Sequence, residues 1–242
     1  MNEENKAPQQ RRGSAALRSA SQVRIRLGPV LELLASDPAS LSSVRDPEEA
    51  WRTHVRDSLT GVDPVGTPAR LADVGAGAGF PGLVLAAALP ATQVDLIESV
   101  GRKCDFIERA ITAAELDNAR AVCARAEDWA AEPPPAGGRE DYEVVTARAV
   151  GRLSTLAELA SPLLRAGGAL VAWKGRRDPA EETELARAGE RLAMKVEEVR
   201  AVGAEAGFEH RHLYVVRKRG ATPPGLPRRA GMAKKRPLGA GS

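Results

Sequence analysis

Leu71-Ala-Asp-Val-Gly-Ala-Gly-Ala-Gly-Phe-Pro-Gly82 decides how the rest of the chain is read. Residues 71–74 have the apolar character of a short buried strand, and Gly82–Ala88 reads as a helix. Gly75, Gly77 and Gly79 therefore fall in the turn between them, where glycine permits positive φ and lets a ligand approach the backbone closely. Two frames compete for this turn. Gly77-Ala-Gly79-Phe-Pro-Gly82 satisfies the dinucleotide fingerprint, and Glu98 lies 21 residues past Gly77, near where such a site holds its ribose acid. Three features favour another ligand. Gly75 and Ala76 intervene before that frame begins. Pro81 removes an N–H that a pyrophosphate at a helix N-terminus would use. Asp73 adds negative charge, which suits a cationic ligand such as S-adenosylmethionine better than a pyrophosphate.

Working outward, strand and helix patterns alternate. Strands are expected at Gln93–Glu98 and at residues 120–124, 142–146 and 169–173. Helices are expected at residues 102–114, 153–164 and 181–191, and residues 128–138 form a Pro/Gly-rich insertion. Alternation of this kind predicts a parallel sheet covered on both faces. Residues 195–202 and 210–217 then read as two strands with no helix between them, which implies an antiparallel edge strand. The pattern predicts an α/β fold with a seven-stranded, Rossmann-like methyltransferase sheet rather than a six-stranded dehydrogenase sheet. Upstream, Val23, Leu27, Val30, Leu31 and Leu34 recur at helical spacing. Asp46-Pro47-Glu48-Glu49 offers an N-cap, a proline at the first helical position and acids in the first turn. The helix that follows, to Leu59, carries Trp51, His54, Val55 and Ser58 on one side. Residues 61–67 read as a linker.

The chain of 242 residues is 43% hydrophobic but only 3% aromatic, so its core is expected to be mainly Leu, Val and Ala. No run is apolar enough for a membrane span, and the start of the chain lacks the apolar segment of a secretory signal. Cys104 and Cys123 fall in a helix and a strand pattern and read as packing residues, not a disulfide framework. Three histidines show no metal-ligand spacing. These features predict a reduced, cytoplasmic, metal-free monomer without a membrane partner. Charge is segregated: residues 1–26 carry a net +4 and residues 211–242 a net +9, leaving −10 for the body of a chain whose total is +3. Basic extensions suit either solubility or phosphate neutralisation.

Ends of the predicted strands supply the candidate site residues. Glu98 can accept hydrogen bonds from ribose hydroxyls. Arg125-Ala126-Glu127-Asp128 follows the third strand, where backbone and acid can read an adenine amine. Arg148, after the fourth strand, faces either the ligand or an ion-pair partner. There is no Asp/Asn-Pro-Pro-aromatic motif for exocyclic amines and no Pro-Cys nucleophile. An acceptor that is already nucleophilic, such as guanine N7, needs neither.

At this point Asp46-Pro-Glu-Glu, His54-Val-Arg-Asp57-Ser-Leu59, the loop to Gly82, Leu96-Ile-Glu98-Ser with Lys103, Arg125-Ala-Glu127, Val145-Thr-Ala-Arg148-Ala-Val150 and Trp173-Lys-Gly175 resemble one family in order. Thr222-Pro-Pro-Gly-Leu-Pro-Arg-Arg-Ala-Gly231 with Lys234-Lys-Arg-Pro237 extends the match. The family is the small-subunit ribosomal RNA methyltransferase G family, also called glucose-inhibited division protein B. The resemblance implies methylation of guanine N7 at position 527 of 16S rRNA, in free RNA or an assembling subunit, with S-adenosylmethionine as donor. It implies that Gly75, Phe80, Ala126, Glu127 and Arg148 contact the cofactor, beside Asp73, Gly77, Gly79 and Glu98 from the reading of the residues. Arg148 and Lys174 are the candidates nearest the reacting base. Arg102, Lys103, Lys174, Arg228, Arg229, Lys234, Lys235 and Arg236 are candidates for RNA phosphates. Methylation of another RNA or a small molecule is the alternative. Ser40-Leu-Ser42 departs from the family's Asn-Leu-Thr, and the basic N-terminus is additional. The expected organisation is a disordered basic stretch at 1–20, a helical extension at 21–66, the methyltransferase domain at 67–220 and a basic Pro/Gly-rich tail at 221–242.

Overall fold

A computed structural model describes residues 17–38, 41–203 and 208–240. Most of the stretch expected to be disordered, and Ser40 of the departing tripeptide, lie outside the described residues. Helix α1 (Ala20–Ser36) starts at a capping box between Ser19 and Gln22 and buries the predicted Val23, Leu27, Val30, Leu31 and Leu34. Helix α2 (Pro47–Ala50) is capped by Asp46, whose side chain accepts the Glu49 N–H, and it runs on as a π-helical stretch (Trp51–Arg56) into α3 (Asp57–Leu59). The expected linker contains a single-turn helix, α4 (Val62–Val65), closed by Gly66 at φ 66°. One turn is too short to display a period, so the residues alone did not announce it.

The domain then alternates β1 (Arg70–Val74), α5 (Gly82–Ala88), β2 (Gln93–Glu98), α6 (Gly101–Ala113), β3 (Ala119–Cys123), α7 (Ala126–Trp129), β4 (Tyr142–Arg148), α8 (Leu153–Ala160), β5 (Leu164–Lys174) and α9 (Pro179–Leu192). It closes with β6 (Met194–Ala201), β7 (His212–Lys218) and α10 (Met232–Lys235). The seven strands lie in the order β3-β2-β1-β4-β5-β7-β6. The expectation of an antiparallel edge strand needs correction. The reversed strand, β7, lies inside, antiparallel to both β5 and β6, because β6 skips a place and leaves room for it. Chain order reverses between β1 and β4, and ligands in open α/β sheets bind at the carboxyl ends of strands at such a switch point.

One core cluster packs α1, α5 and α6 against the sheet, and the second packs α8 and α9 on the other face. Two basic residues of the N-terminal segment close helix ends beside the first. Arg18 donates to Ala87 O, and Arg26 donates to Ala114 O and Glu115 O, which satisfies carbonyls at helix ends. Leu226 and Leu238 of the C-terminal segment are buried in the second cluster. The tail is therefore packed structure, and its basic composition had concealed its few apolar anchors.

The cysteines also require correction. Cys104 and Cys123 form a disulfide, with Cα atoms 5.7 Å apart. The register of β2 on β3 pairs Glu98 with Cys123, and α6 begins just after β2, so the two residues converge on one strand end. A separation of 19 residues in the chain gave no sign of it. Among the described residues no group of His, Cys, Asp or Glu is arranged to hold a metal ion, and no helix is long and apolar enough to cross a membrane.

Candidate methyl-donor and nucleic-acid site

The glycine loop leaves β1 at the switch point with Gly75, Gly77 and Gly79 at φ 68°, 63° and 90°. A Cβ on Gly75 would come within 2.7 Å of Val150, and one on Gly79 within 2.3 Å of Leu83, so packing as well as conformation demands glycine there. Gly75 itself is exposed, which leaves its backbone open to a ligand. Beneath the loop Asp73 is fully buried, accepting the Gly82 N–H at 2.9 Å and the Thr146 hydroxyl at 2.8 Å. Burial raises its pKa to about 7, against these hydrogen bonds and the charge of Arg148, which lower it. Gly82 N is the first N–H of α5 and is taken by Asp73, which leaves the helix start poorly suited to a pyrophosphate.

Glu98 ends β2 and is 6% exposed. Its Oε1 accepts Ser99 N–H and Val100 N–H at 2.7 and 2.9 Å, and its Oε2 accepts Gly77 N–H at 3.0 Å. A carboxylate has about four acceptor positions, so one direction on Oε2 remains for a hydroxyl. Lys103 stands 3.9 Å from the same oxygen. The next strand end carries α7, whose first residue, Ala126, is buried. Its neighbour Glu127 accepts the Gly231 N–H of the C-terminal segment at 2.7 Å. The glycine loop, Glu98 and Glu127 are thus gathered at the ends of β1, β2 and β3.

Past β4 the site is cationic. Arg148 donates to Asp57 Oδ2 at 3.0 Å, and its guanidinium lies 5.8 Å from the Phe80 ring centroid. His54 stacks on the same Phe80 ring, with centroids 5.1 Å apart, and meets the Ser42 hydroxyl at 2.9 Å. Burial, with Arg148 nearby, lowers the His54 pKa to about 4, so it is neutral at physiological pH. Burial also lowers the Arg148 pKa, and Asp57 opposes that shift. Asp57 is fully buried and holds a second cation, Arg211, at 2.8 Å through Oδ1. The Asp57 carbonyl accepts the Trp173 indole N–H at 2.9 Å. Arg148, Trp173, Lys174 and Arg211 line a cleft of about 540 Å³ at the ends of β4 and β5. Lys174 pairs with Glu181 at 2.8 Å and donates to Gly151 O at 2.9 Å. Of the two readings of Arg148, the ion pair is present, and the Phe80 ring is also in reach.

The basic candidates separate into two groups. Arg102, Arg229, Lys234, Lys235 and Arg236 are exposed. Arg228 is half-buried instead, and its guanidinium forks onto the buried Glu158 at 2.5 and 2.6 Å through Nε and Nη2. Reasoning from residues missed Arg211 and the hub role of Asp57. A helical wheel gave no reason to turn an aspartate inward.

The chain is also similar to known proteins. The model of the family described as rRNA small subunit methyltransferase G matches residues 33–214. Ribosomal RNA small subunit methyltransferase G of Desulfitobacterium hafniense is 39% identical over 203 residues, covering 84% of this chain and 83% of that protein. Its namesake in Roseiflexus castenholzii is 41% identical over 204 residues, covering 82% and 84%. Among solved structures, a SAM dependent methyltransferase from Aquifex aeolicus superposes with a TM-score of 0.54 at 16% identity, covering 75% of this chain and 98% of that one. That last likeness speaks to the fold.

Proposed function

The chain belongs to the rRNA small subunit methyltransferase G family, and on that premise we propose that it methylates N7 of a guanine, position 527, in 16S rRNA. S-adenosylmethionine supplies an electrophilic methyl group on a sulfonium cation. The residues present fit that donor: an exposed glycine backbone, the spare Glu98 Oε2 direction and Glu127 beyond β3. Gly75, Gly77, Gly79, Ala126 and Glu127 hold its two ends, and Glu98 orients its ribose. Asp73 braces the loop through Gly82 and Thr146 and places negative charge under the cationic centre. Phe80, in contact with both His54 and Arg148, walls the side toward the acceptor.

One observation carries the choice of acceptor. The cleft beside the loop presents ion-paired cations, Arg148, Lys174 and Arg211, rather than a free base. Guanine N7 keeps its lone pair at neutral pH, so the chain's task is to orient the base and exclude water. Cations at the same mouth suit a polyanionic substrate and hold its phosphates while the base enters. An rRNA substrate also places this work in the cytoplasm. Incubating the chain with methyl-labelled donor and either free 16S rRNA or small-subunit particles tests the reading. Label in N7-methylguanine is expected. Label confined to another base, or transfer only to small molecules, would contradict it.

A further inference from the structure

The segment after β7 follows the family-matched residues and is tied down along its length. At its root Lys218, fully buried, donates to Glu140 at 3.0 Å, to Leu164 O at 2.6 Å and to Thr222 at 2.7 Å. Arg139 donates to Leu226 O at 3.0 Å. The Arg228 fork grips Glu158, which is 3% exposed, and the Thr155 hydroxyl donates to Ala233 O at 3.1 Å. Leu226, Ala233 and Leu238 are buried. Between these anchors Gly231, at φ 83°, directs its N–H onto Glu127 Oε1 at 2.7 Å. Glycine holds that φ without strain, so the direction of the N–H is set by the backbone.

We propose that this strap is part of the donor site: Gly231 and Arg228 are positioning residues that act through Glu127. Glu127 sits on a single-turn helix, and its long side chain has several rotamers to lose on binding. The Gly231 N–H settles that choice beforehand. One carboxylate oxygen is held by the strap, and the other is left to accept the exocyclic amine of adenine. Arg228 keeps Gly231 in place by fastening the strap to α8. The proposal rests on the reading of Glu127 as the adenine-side acid.

Calorimetry on the full chain tests it with two stable ligands, S-adenosylhomocysteine and S-inosylhomocysteine, the second lacking the exocyclic amine. Arg228→Ala is expected to weaken S-adenosylhomocysteine about fivefold and leave S-inosylhomocysteine nearly unchanged, the size of part of one charged hydrogen bond. Arg228→Lys, which keeps the charge on Glu158, is expected to recover much of the loss, and it carries the test if the alanine variant does not fold. In a Glu127→Ala background, Arg228→Ala is expected to change nothing further. Equal losses for both ligands, or the same loss with and without Glu127, would make the strap merely structural and overturn the proposal. A silent Glu127→Ala would instead remove the reading of Glu127 and the proposal with it. Failure of the unaltered chain to bind either ligand would remove the donor assignment itself.

Discussion

Asp73 holds a proton on a balance that can be measured. Burial raises its pKa from the ordinary carboxylate range to about 7, the Thr146 and Gly82 hydrogen bonds only partly offsetting that. A carboxyl whose folded pKa lies above its unfolded value stabilises the fold most fully below the unfolded pKa, and that contribution is lost as pH rises toward 7. His54 acts in the opposite direction. Its pKa is lowered to about 4, so its contribution is complete above its ordinary value of 6.5 and is lost as pH falls toward 4. Asp73→Asn mimics the protonated form, since an amide can serve both Gly82 and Thr146. The variant is expected to lose the Asp73 slope and expose that of His54: denaturation midpoints should fall more steeply from pH 6.5 to 4.5 than in the unaltered chain. Parallel midpoint curves would contradict the assignment. The sulfonium donor should also gain affinity relative to its neutral thioether product as pH rises through 7, when Asp73 ionises. Asp73 was legible as a charge below the loop. That both its oxygens face inward was not, because its partners, Thr146 and Gly82, are distant in the chain or turn back on it.

The helical segment between Pro47 and Leu59 shows how an element's geometry creates a site. Counting by ordinary helical periods puts Trp51, His54, Val55 and Ser58 on one side, and all four are buried or half-buried. The π-helical stretch from Trp51 to Arg56 widens the turn and brings Asp57 inward as well. Such turns recur at functional positions. Asp57 then balances Arg148 and Arg211 from two different strand ends, which ties the N-terminal helices to the cleft. Removing one member of a buried ion pair leaves its partner uncompensated, so Asp57→Ala should cost about 3–5 kcal/mol in urea unfolding. A change within about 0.5 kcal/mol, the range of ordinary surface substitutions, would contradict the hub. Gly61 is a second constraint, since its Cβ would lie 2.0 Å from the Trp173 ring. Gly61→Ala should destabilise by about 1–3 kcal/mol through overpacking, read by the same unfolding curves. Strands β1 and β2 and helix α5 were readable from their residues because each is short, apolar and bounded by turn signals. The single-turn α4 and the inserted position of β7 were not, since neither leaves a local period.

Across the whole molecule, charge and packing divide the C-terminal segment between two tasks. Its inward residues, Leu226, Arg228, Gly231 and Leu238, fasten it to the second core cluster and to Glu127. Its outward residues, Arg229, Lys234, Lys235 and Arg236, stay exposed. Composition displayed the outward cations and hid the inward anchors, because nine cations in residues 211–242 outweigh a few buried apolar side chains. Replacing Lys234, Lys235 and Arg236 with alanine should weaken RNA binding and lower the salt dependence by about 0.7 per lost phosphate contact. Donor affinity should hold, because those side chains point away from the core. An unchanged salt slope would show that RNA does not use this surface. The most direct measurement of the central claim maps N7-methylguanine along 16S rRNA from cells with and without the protein. The account predicts loss of one modified guanine, at position 527, when the protein is absent and its return when the protein is restored. A modification that persists without the protein would contradict it.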